Sequence, residues 1–352
     1  MSYRETLLFI AKCLTISLED KNYTIIKSEL EKRAIDWDEV VKVSTAHYVF
    51  PALYCNLKRK SLLSYIPEDL VAYMKHITDL NRERNEEIIA QAKEINTLLE
   101  THNIQPIFLK GTGFLLQGFY KDIAERMVGD IDFIVSDKAY TTTVQLLKKS
   151  GYNNKPHKLD NVKLGKHYPR LIHEEKIAAV EVHFRIIKDP YDRCLNYDTV
   201  KNSLSKTKDN ISVLSYKNQV LHTIFNKQTN DLGYWYKTIS LRNCYDLFLL
   251  SKKTNTLSAI QSAQHYFNIL NTFLASCNYV FNTIPSICFT NNKTSAAFVK
   301  HQIELLDSSE KMKAHKKKWS LFFNTKTRLK KLKLAFVNKD VRGHLLDLLL
   351  KR

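Results

Sequence analysis

Two acidic side chains lie two residues apart in the apolar stretch GDIDFIV, residues 129–135. Successive side chains of a β-strand point to opposite faces, so Asp130 and Asp132 would share one face while Ile131 points into a core. Neighbouring carboxylates repel each other unless a cation lies between them. A hard divalent cation such as Mg²⁺ prefers carboxylate oxygens. The spacing therefore indicates a metal site, with an exposed pair of loop aspartates as the alternative.

A second stretch, AVEVHFRI at residues 179–186, alternates in the same way and places Glu181, His183 and Arg185 on one face. A third carboxylate beside the aspartate pair would complete a site for two metal ions that clamp an in-line phosphoryl or nucleotidyl transfer. The alternative is an edge strand whose polar residues face water. His183 could contact substrate or make a structural hydrogen bond, and Arg185 could meet substrate or pair with a surface acid.

The turn KGTG, residues 110–113, follows the short apolar run IQPIFL and precedes a predicted helix. Free N–H groups at the start of a helix bind phosphate, and glycine lets the backbone approach closely. Lys110 would add a positive charge to such a site. The turn is not a P-loop, because the pattern G-x-x-x-x-G-K-[ST] is absent.

The elements around these residues predict an α+β fold. Residues 1–100 have apolar residues at helical spacing, and the polar segment NRERNEE at 81–87 is expected to face solvent. Residues 101–190 form the α/β core, in which 168–173 and 177–187 are expected to make a hairpin. Residues 191–352 return to helical spacing and are strongly basic.

Composition and charge are typical of a globular protein with a strongly basic C-terminal half. The chain has 352 residues, 44% of them hydrophobic, with a formal net charge of +18. The six cysteines contain no C-x-x-C pair, which argues against zinc or a disulfide framework and favours a reducing cytoplasm. We expect no membrane span and read the N-terminus as a helix rather than a signal peptide. Residues 191–352 hold 26 basic and 10 acidic residues, a field that attracts polyanions.

The separate stretches together resemble a bacterial group of nucleotidyltransferases in the polymerase-β superfamily. The resemblance covers roughly residues 40–250. It is carried by LKGTGFLLQGFY (109–120), Arg126, GDIDFIV, GY (151–152) and VEVHFR (180–185), supported by STAHYVFPALYCNL (44–57) and by Asp246 in RNCYDLFLLSK. It implies a small mixed-sheet nucleotidyltransferase core flanked by helical regions.

The resemblance also implies roles for single residues. Asp130, Asp132 and Glu181 would be the catalytic and metal-binding residues, holding Mg²⁺ (two ions, with Mn²⁺ as an alternative). The Gly111–Thr112 turn would bind phosphate, while Lys110 and Arg126 would neutralise the triphosphate. The alternative for Arg126 is a salt bridge that anchors the loop before the strand.

The leading hypothesis is transfer of NMP from an NTP, ATP by default, to a hydroxyl acceptor. RNA, a protein side chain and a small molecule remain candidate acceptors. The alternatives are a non-catalytic module that binds nucleic acid and a toxin-like enzyme that modifies tRNA or protein. The basic tail, residues 301–352, could bind RNA, touch a partner or membrane surface, or form a helix that packs its leucines on the body. We favour the last of these for the tail.

Overall fold

The computed structural model describes residues 1–32, 35–155, 162 and 165–350. The N-terminal region consists of five helices. They are α1 (Tyr3–Thr15), α2 (Asp20–Glu31), α3 (Trp37–Ala46), α4 (Phe50–Arg59) and α5 (Glu68–Glu100). Helix α1 begins at a capping box in which Ser2 accepts from the Glu5 N–H while the Glu5 side chain accepts from Ser2.

The long helix α5 positions the loop that leads into the predicted metal site. The side chains of Asn81 and Asn85 are buried, which contradicts the prediction that 81–87 faces solvent. Asn85 donates to the carbonyl oxygens of Ile123 and Arg126 at 2.6 and 2.8 Å. These amides supply hydrogen bonds that a buried loop cannot obtain from water.

The core is a five-stranded mixed sheet in the order β3-β2-β1-β5-β4. The strands are β1 (Ile107–Phe108), β2 (Asp130–Ile134), β3 (Ala179–His183), β4 (Leu204–Lys206) and β5 (Ser212–Leu214). Helix α6 (Lys110–Leu116) follows β1, and α7 (Asp137–Lys149) follows β2. The expected hairpin is present as backbone pairing between Leu171 and Val180. The sheet extends beyond the predicted core, because β4 and β5 lie after residue 190.

The C-terminal region packs helices against this sheet and against the N-terminal region. They are α8 (Tyr197–Val200), α9 (Tyr216–Phe225), α10 (Gly233–Tyr236), α11 (Leu241–Ser251), α12 (Thr256–Gln261), α13 (Phe267–Val280), α14 (Lys293–Leu306), α15 (Ser309–Val337) and α16 (Lys339–Leu350). A π-helical turn, Asn226–Asn230, directly follows α9. The fold is α+β, as the sequence predicted.

Helix α15 differs from the other long helices because none of its residues is buried. Leu321 is 70% exposed, and Leu329 and Leu332 are more than half exposed. Residues 309–337 and 339–350 of the tail are therefore helical, but Leu321, Leu329 and Leu332 do not pack on the body as the favoured interpretation held. The side chains of the tail leucines at 345, 346 and 348–350 lie outside the described part of the chain. No helix among the described residues combines the length and the apolar character needed to cross a membrane.

Candidate functional site

The parallel pairing of β2 and β3 places two of the predicted acidic residues side by side. Asp132 and Glu181 are register partners, and Asp130 lies opposite Ala179 in the same ladder. Asp132 and Glu181 are each only 5% exposed, whereas Asp130 is partly exposed. Two carboxylates far apart in the sequence thus become buried neighbours, which is costly unless positive charge lies close to them.

Lys110 supplies one such charge. The Leu109 N–H donates to the Asp132 carbonyl oxygen at 2.9 Å, which holds the start of α6 beside β2. The Lys110 ammonium hydrogen-bonds the Asp132 carboxylate and lies 3.6 Å from Glu181 Oε2. Lys110 has φ +51°, a left-handed conformation that persists for a non-glycine residue only where its surroundings enforce it.

His183 is fully buried against the same carboxylates. Its Nε2 lies 2.8 Å from Asp132 Oδ1 and 3.6 Å from Glu181 Oε2. Its Nδ1 lies 3.0 Å from the Arg185 carbonyl oxygen, which can only accept a hydrogen bond. Nδ1 therefore carries a proton and Nε2 faces the carboxylates, the orientation that a backbone carbonyl imposes on metal-binding histidines.

Arg170 is a functional candidate that the sequence reasoning did not identify. Its Nη2 lies 2.7 Å from Asp130 Oδ2, and its Nε lies 2.9 Å from Glu181 Oε1. It reaches them because Leu171 pairs with Val180 across the predicted hairpin. The predicted hairpin indicated that residues 168–173 lie beside the strand of Glu181. The register of the hairpin could not be deduced from the turn, so the sequence did not show that Arg170 reaches Glu181.

The charges around the cluster set the ionisation of its acids. Burial alone would raise the pKa of Asp132, but Lys110 and His183 outweigh it and hold that pKa well below its usual value. For Glu181, burial again acts to raise the pKa, and the His183 hydrogen bond and Lys110 lower it overall. Burial raises the pKa of Asp130 despite Arg170. Asp132 and Glu181 are therefore ionised at neutral pH.

Three of these residues can hold a metal ion. Within the described part of the chain, Asp132, Glu181 and His183 each offer a ligand atom, and these atoms lie within 4.8 Å of one another. Two ionised carboxylates with one imidazole suit a divalent cation. This group contains His183, which we expected at the substrate, and it does not contain Asp130, which Arg170 links to Glu181.

Lys166 and His222, which the sequence reasoning also missed, lie behind the cluster. Burial, followed by the charge of Lys110, lowers the pKa of Lys166 to about 8. Burial and Lys110 also lower the pKa of His222 well below its usual value. Neither residue belongs to a recognisable motif, so only the tertiary structure reveals them.

A comparison with known families identifies the group to which this arrangement belongs. A family model described as an uncharacterised nucleotidyltransferase matches residues 33–279. The chain belongs to this nucleotidyltransferase family. No curated protein matches the chain. The matched range includes all five strands and every residue of the carboxylate cluster, and it ends before α15.

The turn for which the family resemblance implied phosphate binding is tightly packed in this nucleotidyltransferase. Thr112 is buried, and its hydroxyl donates to the Asp130 carbonyl oxygen at 3.0 Å. A Cβ on Gly111 would lie 2.7 Å from Val128 Cγ2, and one on Gly113 would lie 2.8 Å from the Phe108 carbonyl oxygen. Gly113 is therefore required for packing against the backbone of β1, whereas the neighbour of Gly111 is a side chain that can shift. Phosphate binding by the turn stays a prediction.

The two remaining arginines point away from the cluster. Arg126 is buried, and its Nη2 lies 3.1 Å from Asp246 Oδ2. Arg185 pairs instead with Asp192 at 3.0 Å. These contacts correspond to the salt-bridge alternatives that the sequence left open for both residues. The groups that the structure places at the carboxylates include Lys110, Arg170 and His183. His167, which the sequence reasoning missed, also lies there, with its Nε2 3.5 Å from Glu181 Oε2.

Proposed function

We propose that this family member is a metal-dependent nucleotidyltransferase that transfers NMP from an NTP to a hydroxyl group. The acceptor oxygen forms a bond to the α-phosphorus, the bond from that phosphorus to the β-phosphate oxygen breaks, and pyrophosphate leaves. The hydroxyl proton passes to a base, for which Glu181 is our candidate. ATP is the default donor, and RNA, protein and small molecules are the acceptor classes to test.

The observation that carries this proposal is the buried pairing of Asp132 with Glu181, with His183 at the same point. Buried carboxylates of like charge are retained where a cation binds them. Asp132, Glu181 and His183, with Asp130 adjacent, would hold Mg²⁺ or Mn²⁺. A bound divalent ion would stabilise the charge on the transferring phosphoryl group.

The residues of the chain itself have complementary roles in this proposal. The Nδ1–H···O=C bond to Arg185 fixes the ring of His183, so that Nε2 faces the ion-binding position. Lys110 and Arg170 balance the carboxylates before an ion binds. Each of these two cations can then interact with the negatively charged triphosphate.

The test measures transfer of label from NTPs labelled in the α-phosphate to total cell extract, separated into RNA, protein and small molecules. We expect labelling that requires Mg²⁺ or Mn²⁺ and is abolished by EDTA. Asp132→Asn should reduce it by roughly 10³-fold, equivalent to about 4 kcal/mol in the barrier. Asn preserves the size of the side chain but removes the charge that binds the cation.

The matched control is Asp209→Asn, since Asp209 is an exposed residue that pairs with Lys93 at 2.7 Å outside the site. It should label like the wild type. Transfer by Asp132→Asn at the wild-type rate would contradict the proposal, provided that both variants show the wild-type circular dichroism spectrum.

A second candidate function is a non-catalytic module that binds nucleic acid. The observation in its favour is helix α15, whose 29 residues contain ten lysines and arginines, one glutamate and no buried residue. Calorimetry separates the candidates. Triphosphate binding that depends on Mg²⁺ supports the enzyme, whereas oligonucleotide binding that is steep in salt and indifferent to Mg²⁺ supports the module.

A further inference from the structure

A pocket of about 830 Å³ opens on a face that contains none of the cluster carboxylates. Its wall is formed by the start of α1, the end of α3, the segment 227–243, the end of α14 and the first turns of α15. A volume of this size can hold a ligand as large as a nucleotide.

The charge of the pocket wall is predominantly positive. Its basic residues are Lys227 in the π-helical turn, Arg242 in α11, and Lys313 and Lys316 in α15. The acidic residues in the wall are Asp231 and Asp307, and Asp307 already pairs with Arg4 at 2.8 Å. Four cations thus face one uncompensated carboxylate, a distribution that attracts a multiply charged anion.

Arg242 is the residue that most clearly lacks a partner. Its side chain makes no hydrogen bond or ion pair with residues 1–32, 35–155, 162 or 165–350. Its Nε is buried without an acceptor, and its guanidinium stacks 4.9 Å from the ring centre of Tyr48. A buried donor without an acceptor is destabilising, and a bound anion would supply an acceptor for this guanidinium. The planar guanidinium suits the paired oxygens of a phosphate group.

Lys227 adds a second buried cation. It is 7% exposed, and its ammonium donates to Thr238 Oγ1 at 3.0 Å instead of pairing with a carboxylate. Burial lowers its pKa, and the charges of Arg242 and Lys316 act in the same direction. These cations repel one another across the pocket, so an anion placed among them would relieve the repulsion.

His47 completes the wall without adding charge. Burial and the nearby Lys227 lower its pKa to about 4, so its ring is neutral at pH 7. Its Nδ1 accepts from the Leu241 N–H at 3.2 Å, and its Nε2 therefore carries a proton and donates to the Tyr3 hydroxyl at 2.9 Å. The positive charge of the pocket is thus carried by its lysines and Arg242.

The π-helical turn Asn226–Asn230 has residues near both the pocket and the carboxylate cluster. Asn226 Oδ1 accepts from Lys166, behind the cluster, at 3.4 Å, whereas the next residue, Lys227, lines the pocket. π-Turns often occur at functional sites. One short segment thus contacts a residue beside the cluster and also lines the pocket, while the pocket wall contains none of Asp130, Asp132, Glu181 and His183.

We propose that this pocket binds a polyphosphate group, either free or as part of a nucleotide, without a metal ion and separately from the carboxylate cluster. Arg242 and Lys227 hold the phosphate oxygens at the buried end, while Lys313 and Lys316 close over them from α15. The proposal goes beyond the nucleotidyl transfer proposed above and does not depend on it.

Calorimetry in EDTA, with pyrophosphate as the probe, tests the proposal. We expect saturable binding to the wild type, a loss of at least tenfold in affinity for Arg242→Gln, and a loss of roughly threefold for Lys316→Gln. Lys326→Gln removes the same charge from an exposed position on the same helix that does not line the pocket, and should bind within twofold of the wild type.

Two further measurements identify the source of the phosphate and the location of the site. ATP that binds more tightly than pyrophosphate would identify a nucleotide, and equal affinity would identify free polyphosphate. Asp132→Asn should bind pyrophosphate like the wild type, even where it has lost transfer. The proposal is overturned if pyrophosphate fails to saturate the wild type, if Lys316→Gln and Lys326→Gln bind equally well, or if Asp132→Asn abolishes binding.

Discussion

At the scale of single residues, Arg170 provides a positive charge between two acidic residues of the cluster. It bridges Asp130 and Glu181, and its side chain is 58% exposed, so solvent and ligands can reach it. Lys110, by contrast, is largely enclosed by the acids it neutralises. A divalent ion in the cluster would compete with both cations, and the exposed guanidinium would yield more easily because Arg170 can turn outward into water at little cost.

Removing this competitor should strengthen metal binding. We expect Arg170→Gln to bind Mn²⁺ roughly threefold to tenfold more tightly than the wild type. The reason is that two ion pairs made by the exposed Arg170 guanidinium, of up to about 1 kcal/mol each, no longer have to be broken. Electron paramagnetic resonance of free Mn²⁺ measures the change. Arg185→Gln, which breaks a comparable pair with Asp192 outside the cluster, is the control and should leave the affinity unchanged. Equal or weaker binding by Arg170→Gln would show that Arg170 does not compete with the ion.

At the scale of elements, the strand-turn-helix unit β1–α6 depends on close backbone contact. Gly113 lies over the last residue of β1, where a Cβ would be 2.8 Å from the Phe108 carbonyl oxygen. A backbone atom cannot move aside as the end of a side chain can. The turn that carries Lys110 is therefore fixed by sheet packing, which in turn determines where the Lys110 ammonium lies.

We expect Gly113→Ala to lower the free energy of unfolding by about 1–3 kcal/mol, because overpacking outweighs the better helix propensity of alanine. Urea unfolding measures the loss. Gly129→Ala provides the matched control, since a Cβ there meets no atom within 4 Å and its φ is not positive. If both variants are equally stable, the close approach at Gly113 does not constrain the turn.

The hydrophobic pattern of the sequence predicted the type of elements such as β3, but it did not predict which polar side chains are buried. Alternation predicted strand β3 with Glu181 on the opposite face from Val180, and the structure pairs Glu181 with Asp132. The same reasoning placed Asn85 in solvent, yet it is buried under the loop that leads into β2. A polar residue on a helix faces water only if no backbone needs its hydrogen bonds, and that depends on distant segments.

At the scale of the whole molecule, buried polar contacts join the sheet to the helices on both sides. Arg126 and the Tyr120 hydroxyl both reach Asp246 on α11, the hydroxyl at 2.6 Å. Glu125 accepts from Arg59 on α4 and from Tyr245 on α11. The loop before β2 is thus held from two sides, so the position of the catalytic candidates depends on contacts far from them.

Asp246→Asn should therefore destabilise the whole protein. We expect a loss of about 3–5 kcal/mol, because the buried guanidinium of Arg126 would keep its charge without a counter-ion. Chemical denaturation, followed by circular dichroism, measures the change, with the exposed Asp209→Asn as the control within about 0.5 kcal/mol of wild type. A loss as small as that of the control would mean that this ion pair contributes little to the connection between sheet and helices.

The sequence by itself determined the local features of this nucleotidyltransferase. Strand alternation placed Asp130 and Asp132 on one face, the motif spacing indicated the family, and helical periodicity gave the α+β class. These features follow from the fixed geometry of the backbone, in which residue spacing sets side-chain direction. These local features can be predicted without knowing which elements pack against each other.

Only the tertiary structure decided which groups meet. Arg170 and Lys166 lie at the cluster, and Arg126 pairs with Asp246. Leu329 of α15 is exposed, and the pocket around Arg242 is lined by further cations. Each of these outcomes depends on the register and docking of segments far apart in the chain. Many partners compete for each charged side chain, and packing, not local spacing, selects among them.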